Sequence, residues 1–208
     1  MAALSFRRAL PAVCSHSGKI YVTGGFDGTL RHSTMECYNE ELDTWSLLEC
    51  TSVCREGACL VSLGDSLYCI GGYDGINLLR SVEKYDVNSG QWNLIAPMLT
   101  PRSGAGCAGL NYRIFVTGGY DGHSHLSTVE TFSTITGQWT NLCSLTISRC
   151  YCSASTLNGK IIVCGGYGGT TLLNTLEEYD EVNDLWQVKT KMPTARCDSG
   201  FAVLKYRN

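Results

Sequence analysis

The sequence predicts an all-β protein built from repeated four-stranded blades, the architecture of a β-propeller, and three observations lead to this prediction. A glycine pair recurs every 47 residues along the 208-residue chain. All four tryptophans lie 20 residues after the second glycine of a pair. The composition combines 23 glycines with only 17% charged residues, which is typical of turn-rich β proteins and not of helical bundles.

Five repeat positions stay in phase without any insertion. The glycine pairs are Gly24-Gly25, Gly71-Gly72, Gly118-Gly119 and Gly165-Gly166. The tryptophans are Trp45, Trp92, Trp139 and Trp186. An arginine recurs at Arg8, Arg55, Arg102, Arg149 and Arg196, and a glutamate at Glu36, Glu83, Glu130 and Glu177. A further glycine recurs at Gly28, Gly75, Gly122 and Gly169. Chance does not produce five registers in phase, so each unit of 47 residues is one repeated module.

Each unit is predicted to contain four short strands. In the third unit these are a small-residue run over 103–110, an apolar run over 113–119, and the segments 127–132 and 137–142. The apolar run "RIFVTGG" has no polar alternation, which indicates a strand covered on both faces. Sheets that need cover on both faces stack face to face, and radial stacking gives a propeller.

An aromatic residue precedes each tryptophan by seven positions, and both rings are expected to fill the space between neighbouring blades. These residues are Tyr38, Tyr85, Phe132 and Tyr179. One such ring removes about 150–250 Å² from water on burial. We therefore expect the aromatic positions to dominate the core.

The repeat resembles the kelch repeat. The stretches "GGYDG" (71–75 and 118–122) and "SVEKYD" (81–86), followed by a tryptophan, match that pattern, and the period of roughly 50 residues fits. The stretches "YDGINLLRSVEKYD" and "PMLTPRSGAG" are most similar to the kelch-like family, whose full members carry a BTB and a BACK domain ahead of the propeller.

The resemblance implies a single kelch domain over residues 1–208, without a BTB or BACK domain. The predicted blades are about 8–54, 55–101, 102–148 and 149–195, with a closing strand over 196–204. Family propellers usually have six blades, so the four units and the extra strand predict a partial six-bladed propeller, with about two blades missing upstream.

Charge and hydropathy narrow the range of partners. The net charge is −3 and no basic block is present, so nucleic acid is not an expected partner. No apolar stretch reaches the roughly 18 residues that a membrane span requires. The N-terminal segment lacks the apolar region of a signal peptide, so we expect a cytoplasmic protein.

Catalytic chemistry and a bound cofactor are not expected. A phosphate-binding glycine loop opens a helix, whereas a strand is expected after each glycine pair here. His123 and His125 form an H-x-H pair on a loop, for which exposure to solvent is favoured over metal binding. An oxidase with a metal centre is therefore the least favoured reading.

The twelve cysteines are scattered and include no C-x-x-C pair. Buried, reduced thiols are the favoured interpretation. The alternative is a thiol sensor at Cys150 and Cys197, each of which follows an arginine that would lower the pKa of an exposed thiol.

Ligand peptides in the kelch-like family lie across the loop after the glycine pair and the loop that begins the small-residue strand. Carried over by position, the residue after the pair is Phe26, Tyr73, Tyr120 or Tyr167, and five residues further lies Arg31, Leu78, His125 or Leu172. The arginine position contributes Arg55, Arg102, Arg149 and Arg196, and the residue after it is Glu56, Ser103, Cys150 or Cys197. Clustered aromatic and arginine side chains are typical of binding hot spots.

Two interpretations of the recurring arginine remain open. A ring of guanidiniums would favour a peptide with carboxylates or phosphates. An arginine present in every unit would equally brace neighbouring loops, and bracing is favoured for any single arginine. Leu78 and Leu172 predict a partly apolar ligand, and Gly168 replaces the loop aspartate of the other units.

The predicted function is protein recognition without catalysis. By resemblance, the full-length protein would be the substrate receptor of a cullin-RING ubiquitin ligase in protein ubiquitination, and it would contact cullin only through an upstream BTB domain. The alternative is a cytoskeletal scaffold that binds actin filaments.

Overall fold

A computed structural model describes residues 2–203, which form two compact units over 2–103 and 104–203. Each unit contains two antiparallel sheets of four strands. No helix in this range is long and apolar enough to cross a membrane.

The first unit contains strands β1 to β8. Its first sheet consists of β1 (Ala12–His16), β2 (Lys19–Thr23), β3 (Met35–Asn39) and β4 (Thr44–Leu48). Its second sheet consists of β5 (Cys59–Leu63), β6 (Ser66–Ile70), β7 (Val82–Asp86) and β8 (Gln91–Ile95).

The second unit contains strands β9 to β16. Its first sheet consists of β9 (Gly106–Leu110), β10 (Arg113–Thr117), β11 (Val129–Ser133) and β12 (Gln138–Leu142). Its second sheet consists of β13 (Ser153–Leu157), β14 (Lys160–Cys164), β15 (Thr175–Asp180) and β16 (Leu185–Lys191).

Strands pair in chain order within every sheet, as consecutive hairpins require. Two-residue turns join the first two strands: Asn158 and Gly159 adopt φ values of 50° and 73°, and Ser17 and Gly18 adopt 48° and 76°. Two consecutive left-handed residues match the right-handed twist of the flanking strands. The strands predicted for the third 47-residue repeat are present, and each sheet lies within one of the predicted blades.

The second strand of each sheet is buried on both faces, which confirms the interpretation of the apolar run. All five residues of β6 are buried, as are four of the five in β10 and β14. In the second unit, Phe115 and Val129 of the first sheet pack with Ile161 and Trp186 of the second. Adjacent sheets within a unit therefore share one core.

The recurring aromatic residues pair within each blade. The Tyr179 and Trp186 ring centroids lie 5.1 Å apart, and the Tyr85 and Trp92 centroids also lie 5.1 Å apart. Trp92 Nε1 donates a hydrogen bond of 2.9 Å to the carbonyl oxygen of Glu49, which follows the outer strand of the preceding sheet. The prediction that these rings fill the space between neighbouring blades is confirmed within each unit.

The first glycine of each pair leaves no room for a side chain. A Cβ atom on Gly24 would lie 2.3 Å from the carbonyl oxygen of Arg55, and one on Gly118 would lie 2.3 Å from that of Arg149. Both glycines also adopt left-handed backbone conformations, with φ of 69° and 64°. The repeated glycine therefore has a structural role: the chain turns there, and the backbone at the start of the next blade packs against it.

One expectation about the propeller is not supported, and another needs correction. The described residues contain four sheets, so they give no support to a six-bladed arrangement. Residues 196–203 carry no strand, whereas a closing strand was predicted over 196–204; Leu204 lies outside the described residues. In every sheet the first strand pairs with the second strand of the same sheet. In the described part of the chain, no second strand follows residue 196 with which a strand there could pair in this way.

Candidate partner-binding rim

Short bridges join the predicted site positions at one end of each blade. Tyr73 pairs with both Glu56 and Leu78, because the loop after the glycine pair folds back as a small hairpin against the entry to β5. Tyr120 pairs in the same way with His125. Phe26 pairs with Ala9 and Arg31, and Tyr167 with Cys150 and Leu172. Within the blades, the structure thus brings together three of the predicted site positions: the residue after the glycine pair, the residue five positions further, and the residue after the recurring arginine.

We define two rim patches from these residues, one in each unit. The first rim patch consists of Phe26, Arg31, Glu56, Tyr73 and Leu78, all of which are partly exposed. The second rim patch consists of Tyr120, His125, Tyr167 and Leu172, of which Leu172 is exposed and the others are partly exposed.

Arg31 is the centre of the first rim patch. Its guanidinium carbon lies 4.8 Å from the ring centroid of Phe26 and 4.8 Å from that of Tyr73. Its Nε atom lies 2.7 Å from Oε2 of Glu56. The paired atoms Arg31 Nε and Glu56 Oε2 are themselves buried, but the two side chains remain 27% and 20% exposed, so their other parts face solvent. A cation between two aromatic faces is held in one orientation, which prepares it for contact with a ligand.

The tyrosine hydroxyls fix the loops on which they stand. Tyr73 Oη donates a hydrogen bond of 2.8 Å to the carbonyl oxygen of Gly75, and Tyr167 Oη donates one of 2.7 Å to that of Gly169. Phe26 lacks this bond because it lacks the hydroxyl group.

The loop aspartates shape the turns, as their turn chemistry predicted. Oδ1 of Asp121 accepts hydrogen bonds from the backbone N–H groups of His123 and Ser124, and Asp74 does the same for Ile76 and Asn77. These backbone N–H donors stabilise the carboxylate and hold the pKa of Asp121 and of Asp74 below the usual range.

His125 occupies in the second rim patch the position that Arg31 holds in the first. Its ring centroid lies 5.3 Å from that of Tyr120 and 5.3 Å from that of Tyr167. A Cβ atom on Gly169 would lie 3.0 Å from Nδ1 of His125, so the glycine makes room for the imidazole. His123 is exposed on the same loop, and residues 2–203 contain no group of three or more potential metal-binding side chains.

The recurring arginine lies inside the blade, and this corrects part of the predicted site. Arg55, Arg102 and Arg149 are each at most 1% exposed. Arg55 donates hydrogen bonds to the carbonyl oxygen of Gly71 (2.7 Å) and to Glu83 (2.8 Å). A side chain enclosed in this way does not contact a partner, so the bracing interpretation applies. Arg196 is exposed, and its role in binding stays a prediction.

The recurring glutamates complete this brace. Glu83 and Glu177 are at most 1% exposed. The second carboxylate oxygen of Glu83 accepts a hydrogen bond of 2.8 Å from the backbone N–H of Ser52, so both of its oxygens are used. Burial raises the pKa of the equivalent Glu36, but the N–H of Ser5 and the guanidinium of Arg8 outweigh it, and the net shift is downward.

The position after the arginine is only partly exposed to partners. Glu56 belongs to the first rim patch, whereas Ser103 is 8% exposed and Cys150 is 1% exposed. Burial raises the pKa of the Cys150 thiol to about 11, with a further contribution from Cys197. The predicted lowering of this pKa is therefore wrong, because Arg149 points to Glu177 and burial dominates at Cys150.

Two exposed apolar residues on the rim loops were not among the site residues predicted from the sequence. Leu30 is 64% exposed and Ile76 is 86% exposed, and each lies between the two rim residues of its loop. They do not share a repeat position, so comparing the units could not identify them. An apolar residue within a turn sequence was the available signal.

Comparison with known proteins identifies the class. Residues 12–207 match the family model described as the KLHDC2/KLHL20/DRC7 Kelch-repeats domain. The chain therefore belongs to this family of kelch-repeat domains, and its fold is an all-β kelch-type propeller with four-stranded blades. Kelch propeller domains typically bind other proteins.

One relative is the human Kelch-like protein 4. It is 38% identical to this chain over 61 residues, which is 29% of the chain and 8% of that protein. The matched part thus spans a small share of the relative's length.

Proposed function

We propose that the chain is a protein-binding module whose partner contributes a short peptide segment to the first rim patch. The observation that carries the proposal is the Arg31 guanidinium held 4.8 Å from both Phe26 and Tyr73 and paired with Glu56. Preorganised aromatic and arginine side chains that remain exposed are the groups that dominate the energy of protein interfaces.

The exposed groups also indicate the chemistry of the segment. The buried side chains of Arg55, Arg102 and Arg149 are not available to a ligand, which removes the main reason to expect several carboxylates or phosphates. What remains is one ion pair between aromatic rings, with Leu30, Ile76 and Leu78 nearby on the same loops. We propose a largely apolar segment with a single charged residue that meets the Arg31 and Glu56 pair.

The proposed cellular role follows from the family relationship. A kelch propeller that binds a peptide segment would select substrates for a cullin-RING ubiquitin ligase, with cullin bound through a BTB domain encoded upstream. A cytoplasmic location belongs to the same proposal. Binding to actin filaments is the alternative role, and cosedimentation with filaments would favour it over capture of cullin by an upstream-extended chain.

The first experiment needs no known partner. A display library of random peptides is selected on the immobilised chain, and enriched peptides are tested against Arg31→Ala and Tyr73→Ala. Lys160→Ala is the control, because Lys160 is half-exposed and lies on β14 outside the rim patches. We expect weaker binding to both rim variants and unchanged binding to the control. Enriched peptides that bind all four proteins equally would contradict the proposal.

A further inference from the structure

Cys150 and Cys197 occupy the same position in consecutive 47-residue repeats, directly after Arg149 and Arg196. No other repeat position carries cysteine in two repeats. All twelve cysteines lie within residues 2–203, and none of them forms a disulfide in the structure. The pair therefore stands out among the thiols of the chain.

Backbone hydrogen bonds hold the segment around Cys197 alongside the segment around Cys150. The N–H of Asp198 donates a bond of 2.9 Å to the carbonyl oxygen of Tyr151, and Ser153 Oγ donates to the carbonyl oxygen of Ser199. The N–H of Gly166 donates a bond of 2.7 Å to the carbonyl oxygen of Arg196. The segments 150–153 and 196–199 are thus joined at several points within the second unit.

This arrangement suits a disulfide. Chains joined by an N–H···O bond run about 5 Å apart. Disulfides join residues whose Cα atoms are about 4.4 to 6.8 Å apart. Tyr151 and Asp198, the residues after the two cysteines, both adopt left-handed backbone conformations, with φ of 49° and 51°, and the two thiols lie close enough to interact electrostatically.

The two thiols differ in solvent exposure, and this difference determines which of them reacts first with a reagent in solution. Cys150 is 1% exposed, and burial together with the neighbouring Cys197 thiol raises its pKa to about 11. Cys197 is partly exposed. An external reagent therefore reaches Cys197 first, and Cys150 acts on the product.

We propose that Cys150 and Cys197 are a redox-active pair that forms a disulfide on exposure to oxidised glutathione. The Cys197 thiolate attacks one sulfur of oxidised glutathione, which forms a mixed disulfide and releases one glutathione thiolate. Cys150 then loses its proton and attacks the Cys197 sulfur, which forms the Cys150–Cys197 bond and releases the second glutathione. The two thiols lose two electrons and two protons in total, and the glutathione disulfide gains both electrons.

The bond would fix residues 196–199 next to the second rim patch. Cys150 exchanges backbone hydrogen bonds with Tyr167 in both directions, at 3.0 and 2.8 Å. The disulfide would therefore tie the described end of the chain to a rim residue. This inference does not depend on the identity of a partner.

Mass spectrometry of the whole chain tests the proposal. The chain is incubated with oxidised glutathione, alkylated while denatured, and digested with trypsin without reductant. Cleavage after Arg149 and Arg196 releases peptides 150–160 and 197–205. We expect these two peptides to be joined, and the joined species to disappear on reduction.

The peptide 150–160 also contains Cys152, so variants assign the bond. The joined species should be lost in Cys150→Ser and in Cys197→Ser and should persist in Cys152→Ser. Circular dichroism verifies that each variant is folded, and Cys197→Ser keeps the test valid even if a buried substitution at Cys150 unfolds the chain. Glutathione retained on Cys197 without joined peptides, or joined peptides that persist in Cys150→Ser, would overturn the proposal.

Discussion

The guanidinium of Arg149 donates a hydrogen bond of 2.7 Å to the carbonyl oxygen of Gly165, the first glycine of the pair that follows β14. The same guanidinium bonds Thr175 and Glu177 at the start of β15. One buried side chain therefore connects the entry of a blade to its second and third strands. At its buried positions the repeated arginine is part of the fold.

Replacing Arg149 with alanine should strongly destabilise the chain. Arg149 and Glu177 are both fully buried, so the substitution leaves an uncompensated carboxylate in the core. We expect a loss of about 3 to 5 kcal/mol in the free energy of unfolding, measured by urea denaturation. Lys160→Ala is the control: Lys160 is 52% exposed in its ion pair with Glu178, and such surface pairs contribute at most about 1 kcal/mol. Equal losses in the two variants would refute the assignment.

Alanine at Gly118 should cost more stability than alanine at Gly137. Both glycines are left-handed, with φ of 64° and 69°, so both substitutions carry a conformational cost of about 1 to 2 kcal/mol. Only Gly118 faces a clash, since its Cβ would lie 2.3 Å from the carbonyl oxygen of Arg149 and nothing lies within 4 Å at Gly137. We expect an additional loss of about 1 to 3 kcal/mol at Gly118, measured in urea. Matching losses would show that the corner tolerates a side chain.

The repeat predicted the blades because period and strand pattern are local properties. A strand was expected over 113–119, and β10 (Arg113–Thr117) lies there. The binding surface was harder to predict, since a repeated arginine is compatible with bracing and with binding. Burial of Arg55 and Cys150 depends on how neighbouring segments pack, and the spacing of residues along the chain does not contain that information. The exposed Ile76 was not predicted because no other repeat carries an apolar residue at the equivalent position.

Alkylation should distinguish the buried from the exposed thiols. Burial raises the pKa of Cys69 to about 12, and burial with the neighbouring Cys69 and Cys37 raises that of Cys14 to about 12. Both remain protonated at pH 8. Cys69 is completely buried, so iodoacetamide should modify it only as fast as the chain unfolds, whereas the partly exposed Cys14 should react slowly through its small thiolate fraction. Cys50 is exposed and should react in the native state. Peptide mass spectrometry follows each site, and rapid native labelling of Cys69 would contradict the packing of the first unit.

The loop aspartates should make a small contribution to stability that depends on pH. The pKa of Asp121 is lowered by the N–H donors of Ser124 and His123, so its contribution is present above the unfolded value of about 3.9 and is lost as the pH falls through the folded value. Asp121→Asn keeps an acceptor oxygen but removes the charge. We expect the wild type to melt at a higher temperature at pH 7, with a gap of at most about 1 kcal/mol, and the difference to shrink as the pH falls below the unfolded value of about 3.9. A gap that persists at low pH would exclude this role.

We expect a partner segment to bind the first rim patch, whereas the buried arginines Arg55, Arg102 and Arg149 stabilise the blades. Isothermal titration calorimetry of a display-selected peptide, against the wild type and against the double variant Arg31→Ala plus Tyr73→Ala, measures this binding. We expect the affinity of the double variant to be at least about tenfold weaker, or about 1.4 kcal/mol, with an unchanged circular dichroism spectrum. Unchanged affinity in the folded double variant would contradict it.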